Sequence, residues 1–220
     1  MDTSEAYRTV RERMLGLVDG VDPTTPVPPC PEWTVRELLA HVTGVAADVV
    51  AGRLEGAGTD PWVEAQLSAR ARAPIEEIAA EWAETGPQVD DICAALGDGI
   101  AQLIFDTVSH EQDLRNALRH PGGRHGALGI AVRWVSDAWA GGALPSGALR
   151  IVAGPVDVTR GESTPIASVL LEPFEALRTL SGRRSSDQIL ALPWDGDPKP
   201  SLGAFTWGPF TPRVEPLAER

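Results

Sequence analysis

Apolar residues at three- and four-residue spacing run through the first three-fifths of the chain. Tyr7, Val10, Met14, Leu17, Val18 and Val21 place one stripe on a helix from Ser4 to Val21. Five prolines between Pro23 and Pro31 exclude a helix there and predict an extended crossing. Thr34 and Glu37 then make a capping-box pair, with Trp33 before it. Val35, Leu38, Leu39, Val42, Val45 and Val49 carry a second stripe to about Arg53. Trp62, Val63 and Leu67 open a third helical stretch that Pro74 interrupts or restarts. It continues through Ile75, Ile78, Ala79 and Trp82 to Gly86-Pro87. Ile100, Leu103, Ile104, Val108, Leu114 and Leu118 mark a long helix from Val89 to Leu118, weakened at Gly97 and Gly99. A shorter helix follows from Leu128 to Trp139.

After Pro145 the period shortens. Leu149 to Val152, Val156 to Thr159 and Ile166 to Leu171 read as short strands separated by turn residues. Two short helices, Pro173 to Leu180 and Ser185 to Leu190, come next, and the last thirty residues read as loop. The expected fold is mainly α: an all-helical bundle over residues 1–145, followed by a small α+β domain over residues 146–220.

Charge and composition narrow the function. The formal net charge of −12 argues against nucleic acid and against anionic membrane surfaces as partners. Cys30 and Cys93 are too few for a disulfide framework. The acidic start Met1-Asp2-Thr3-Ser4-Glu5 is unlike a secretory signal, and no apolar run approaches the roughly 20 residues that span a bilayer. A cytoplasmic protein that does not engage membranes is the expectation.

No Gly-rich phosphate loop, nucleophile elbow, His-Glu-x-x-His or Cys-x-x-Cys is present. The four histidines therefore carry the chemical information. Asp106 and His110 lie one turn apart on a helix, so a carboxylate and an imidazole can converge on one ion. An inward histidine from a facing helix would complete a His₂–carboxylate set with open positions. His41 shares a face with Leu38 and Val45 and by itself reads first as a satisfied core histidine, with the ligand role second. Asp113 either orients a ligand histidine from behind or is solvated beside Arg115. Cys30 and Cys93 read as small buried hydrophobes, with Cys30 also placed to be a nucleophile or fourth ligand. His120 and His125 flank a Pro-Gly-Gly turn and read as exposed; Trp62, Trp82 and Trp134 fit core stripes.

The run Val27-Pro28-Pro29-Cys30-Pro31-Glu32-Trp33-Thr34-Val35-Arg36-Glu37-Leu38-Leu39-Ala40-His41-Val42 resembles the signature of the mycothiol-dependent maleylpyruvate isomerase family, within the DinB-like metal-binding helical bundles. Asp106-Thr107-Val108-Ser109-His110-Glu111-Gln112-Asp113 is similar to that family's second signature. Gly182-Arg183-Arg184 with Trp194-Asp195-Gly196-Asp197 resembles its C-terminal part. The resemblance implies a DinB-like four-helix bundle holding one divalent metal, usually zinc, on His41, Asp106 and His110. Asp106 departs from the family's glutamate. It further implies a thiol transferase or isomerase that uses mycothiol as thiol cosubstrate. The thiol adds to a cis double bond of a small electrophilic acid, and elimination after rotation gives the trans form. Arg183 and Arg184 are the arginines the resemblance offers for an anionic substrate, with Arg70 and Arg115 offered by their place in the helical segments. A monomer or homodimer is expected. A metal hydrolase on the same site and a non-enzymatic binding protein with a degenerate metal site are the competing readings.

Overall fold

The computed structural model describes residues 1–144 and 147–219. Contacts divide them into two units, Met1–Ala127 and Leu128–Glu219. The boundary expected between Pro145 and Ser146 lies outside the described residues.

In the first unit, α1 (Thr3–Val18), α2 (Val35–Ala51), α4 (Ile75–Leu96) and α5 (Ala101–Ala117) pack as a four-helix bundle, and α3 (Asp60–Ala69) lies on α2. The predicted stripes make its core: Tyr7, Val10, Met14, Leu38, Leu39, Ile78, Trp82, Ile104 and Val108 are all buried. Trp82 donates its indole N–H to the Tyr7 hydroxyl at 2.8 Å, which satisfies two polar groups inside the core. Burial pushes the Tyr7 phenol up, against the opposing pull of that hydrogen bond and of Arg11.

The helix expected to stop at Gly86-Pro87 continues through it. Ile78, Trp82, Val89 and Cys93 stay buried on one stripe while Pro87 faces solvent, as does Ala83, whose carbonyl the proline cannot engage. Gly86 has a structural reason of its own, because a β-carbon there would collide with the Arg11 guanidinium. That guanidinium bonds both Asp90 oxygens at 2.9 and 3.1 Å and ties α1 to α4. The real break falls at Gly97, whose positive φ of 53° ends α4 in a short 3₁₀ turn, Gly97–Ile100. Ile75–Ala117 taken together is long and apolar enough to cross a membrane by composition. Many of its apolar residues, among them Ile78, Trp82, Val89, Ile104 and Val108, are buried in the bundle core.

The proline segment is folded and not an extended crossing. Val27 N–H bonds the Trp33 carbonyl at 2.9 Å, Cys30 N–H bonds Val27, and Trp33 N–H bonds Cys30, with a Pro26–Thr34 bridge closing the loop. Prolines cannot donate to a helix, but the few remaining N–H groups suffice for this chain of turns. At its exit Glu37 accepts from the Thr34 N–H at 2.7 Å and starts α2 as expected.

The second unit holds most of α6 (Gly126–Ala140), then β1 (Ala148–Ala153), β2 (Val156–Arg160) and β3 (Pro165–Leu171), then α7 (Pro173–Leu180) and α8 (Ser186–Leu190). With a short β4 (Asp195–Gly196), the sheet order is β2-β1-β3-β4, with β1 antiparallel to β2 and parallel to β3. The β2–β3 connection passes tightly against the start of β1. Gly161, at φ 99°, allows this because a β-carbon would sit 3.0 Å from the Gly147 carbonyl oxygen. The C-terminal stretch expected as loop contains β4 (Asp195–Gly196), paired with β3, and a 3₁₀ helix, Lys199–Phe205.

Candidate metal centre

Two elements of the first unit bring the donors together. His41 stands in the second turn of α2, in a run buried from Leu38 to Ala46. Asp106, His110 and Asp113 follow on α5 at spacings of four and three, so they share one face. His41 and His110 are 3% and 7% exposed, whereas the Asp106 side chain is 30% exposed and marks the open side.

The donor atoms of His41, Asp106 and His110 lie within 4.8 Å of one another. His41 Nε2 is 3.7 Å and His110 Nε2 is 3.6 Å from Asp106 Oδ1, both too long for hydrogen bonds. Zinc bonds of about 2.0–2.2 Å place neighbouring ligands of a tetrahedral ion roughly 3.3–3.6 Å apart. The donor set therefore fits one divalent ion with small movements. Two nitrogens and a carboxylate oxygen are also the right donor types for it.

The opposite ring nitrogens each face an oxygen. His41 Nδ1 is 2.8 Å from Gln66 Oε1. His110 Nδ1 is 3.1 Å from Asp113 Oδ2, close but not aligned for a hydrogen bond. The Gln66 amide oxygen and the Asp113 carboxylate are both acceptors, so each favours a proton on the Nδ1 it faces. Asp113 is fully buried and behind His110, which excludes its solvation beside Arg115. Cys30 donates its thiol to Asp113 Oδ2 at 3.4 Å. Cys30, His110 and Asp113 form a second close group of possible ligands. Trp33, delivered by the proline loop, covers both imidazoles, with ring centroids 5.1 Å from His41 and 5.6 Å from His110. Trp62 is half-buried and meets His41 edge-on at 6.4 Å, so it lines the site and does not belong to a core stripe.

The remaining candidates fall elsewhere. Arg70 pairs with Glu81, and Arg115 pairs with Glu111 at 2.9 Å. His125 is not exposed as expected: its Nε2 lies 2.6 Å from the buried Glu111, and its side chain is only 8% exposed. Burial opposes ionisation of Glu111, but His125 and Arg115 outweigh it and hold the carboxyl below the usual range. His120 is exposed. Cys93 is buried in the bundle, and burial pushes its thiol up to about 12. In the second unit, Arg184 bonds Glu175 and Glu219, while Arg183 bonds the Ser181 carbonyl. Gln66 and the covering position of Trp33 were not anticipated. A glutamine 25 residues from its histidine leaves no spacing signal.

Residues 7–119, which include every donor of the site, match the family model described as the mycothiol maleylpyruvate isomerase N-terminal domain. Comparison with curated proteins gives no match. The crystal structure of the mycothiol-dependent maleylpyruvate isomerase is similar to this chain, with a TM-score of 0.57 at 12% sequence identity. The alignment covers 82% of this chain and 88% of that one, and at this identity it speaks to the fold alone.

Proposed function

As this chain belongs to the mycothiol maleylpyruvate isomerase N-terminal domain family, we propose that it is a metal-dependent isomerase or thiol transferase that uses mycothiol or a similar small thiol. The observation that supports this most is the convergence of two imidazole Nε2 atoms on Asp106 Oδ1 at 3.6 and 3.7 Å. His41, Asp106 and His110 would hold the ion, which we assign as zinc from the mixed nitrogen and oxygen set. When bound, such a metal supplies a Lewis acid that favours the deprotonated, nucleophilic form of a thiol at neutral pH.

The chain's own residues prepare the rest. Gln66 bonds His41 Nδ1, and Asp113 sets a carboxylate beside His110 Nδ1. Trp33 and Trp62 exclude water from the imidazole side and leave access on the side of Asp106. Asp106 is one methylene shorter than glutamate, yet its Oδ1 reaches both histidines, so the substitution keeps the donor set. The substrate we propose is a small electrophilic acid. Arg183 and Arg184 remain the proposed arginines for its anionic end, and Arg184 would have to exchange Glu175 or Glu219 for substrate.

Elemental analysis of the untagged protein beside Asp106→Ala tests this reading. About one zinc per chain, lost in the variant, together with turnover of electrophilic cis acids only when thiol is added, is the expected result. Zinc with thiol-independent hydrolysis would move the assignment to a metal hydrolase. No zinc after reconstitution at neutral pH would leave a binding protein.

A further inference from the structure

We propose that Gln66 is a positioning residue that sets His41 as a ligand, by fixing its imidazole proton on Nδ1. The inference rests on the metal reading above and adds a residue that the family signature in this chain does not include.

The argument starts from helix α3. Of its residues Asp60–Ala69 only Gln66 is buried, at 3% exposure, so this short helix is held by one deep side chain. Gln66 fits against Gly44 of α2, where a β-carbon would stand 2.5 Å from Gln66 Cβ. The two neighbours of Gln66 at four-residue spacing hold it there. Trp62 donates to the Arg53 carbonyl at 3.2 Å, and Arg70 bonds the Gln66 carbonyl at 3.3 Å and pairs with Glu81.

The direction of the amide is then dictated by chemistry. Its Nε2 lies 2.9 Å from Asp48 Oδ2, and a carboxylate only accepts. The NH₂ end therefore faces Asp48, and the carbonyl end faces His41 Nδ1 at 2.8 Å. An amide oxygen also only accepts, so Nδ1 is the donor and Nε2 keeps its lone pair. The order Asp48–Gln66–His41 thus transmits one fixed polarity to the site. His110 has a weaker arrangement, because Asp113 stands near its Nδ1 without alignment and is shared with Cys30. The better-made support of the centre is on the His41 side, from a residue outside the bundle helices.

Two variants and two readouts test this. Gln66→Leu keeps a side chain of similar volume against Gly44 and removes the amide. Asp48→Asn keeps the size of its side chain but accepts or donates, so the amide of Gln66 is no longer directed. Zn²⁺ affinity of the full chain, titrated against a chromophoric chelator, is expected to fall about 10–100-fold in Gln66→Leu. A smaller loss is expected in Asp48→Asn. The ¹⁵N imidazole shifts of His41 in metal-free protein should report an Nδ1–H tautomer in the wild type and a move towards Nε2–H in both variants. A role in packing alone would change melting temperature but not the tautomer. Wild-type Zn²⁺ affinity in both variants, or an Nε2–H tautomer already in the wild type, overturns the inference and leaves the metal site standing. A wild-type chain that binds no Zn²⁺ sinks the metal reading and this inference with it.

Discussion

Arg178 and Arg184 of the second unit are 0% and 6% exposed, and both close on Glu219, with Arg184 also bonded to Glu175. Every charge in that group faces an opposite charge. The C-terminal tail is thereby fastened to α7, helped by Gln188, which bonds both the N–H and the carbonyl of Leu217. In the first unit, His41 and His110 are buried to a similar depth, yet their Nε2 atoms face a carboxylate from beyond hydrogen-bonding distance. One cluster is complete without a ligand, and the other presents acceptors to acceptors. By this comparison the Arg178–Glu219 pair is a structural clasp, and Arg184 would serve an anion only by giving up a carboxylate. Burial of charge is therefore common to both clusters; what separates them is the convergence of two imidazole nitrogens and a carboxylate oxygen on one point.

The sharpest way to break that contrast is to remove a converging donor. His110→Ala is expected to take zinc from about one per chain to none, a loss of more than about 4 kcal/mol in binding, with the helical fold retained. Elemental analysis paired with a thermal melt reads both. Removing one side of the clasp should do the reverse. Arg178→Ala leaves Glu219 with one arginine and should cost about 3–5 kcal/mol of stability without changing zinc content. Zinc loss in that variant would end the separation drawn here.

Smaller effects refine it. Asp113→Asn replaces a charged neighbour of His110 Nδ1 with an amide and should weaken Zn²⁺ about tenfold, or about 1.4 kcal/mol. Chelator competition measures it. Glu111, one residue beyond His110, is a saturated charge inside the first unit and should behave like the clasp. Its carboxyl is held below the ordinary value, so it contributes stability above about pH 4.3 that is lost as pH falls through the folded-state value. Melts between pH 5 and pH 3 should therefore fall more steeply for the wild type than for Glu111→Gln.

Much of the fold was legible because it depends on neighbours in sequence. The stripes of α1 and α2 and the capping pair at Thr34 and Glu37 are set within one or two turns. The reading went wrong where a distant contact overruled a local one. Pro87 looks like a helix end, but the stripe carrying Trp82 and Val89 continues past it, and Arg11 fills the Gly86 notch. The proline segment has no periodicity to read, and its turns are closed by the Pro26–Thr34 bridge. His125 looked exposed beside glycine and proline, yet Glu111 draws it in.

The same division holds for the site. Helical spacing determined that Asp106, His110 and Asp113 share one face, because 3.6 residues per turn is a property of the backbone. The signature residues pointed to His41 as their partner, but spacing on one helix says nothing about a second. Packing of α2 against α5 decided that His41 meets them, and it also decided which carboxylate converges and which stands behind. Gln66 and Trp33 enter only through tertiary structure, since α3 and the proline loop are positioned by contacts many residues away. Periodicity is written in the chain because the helix repeat is local; the donor cluster is not, because it depends on how separate helices pack.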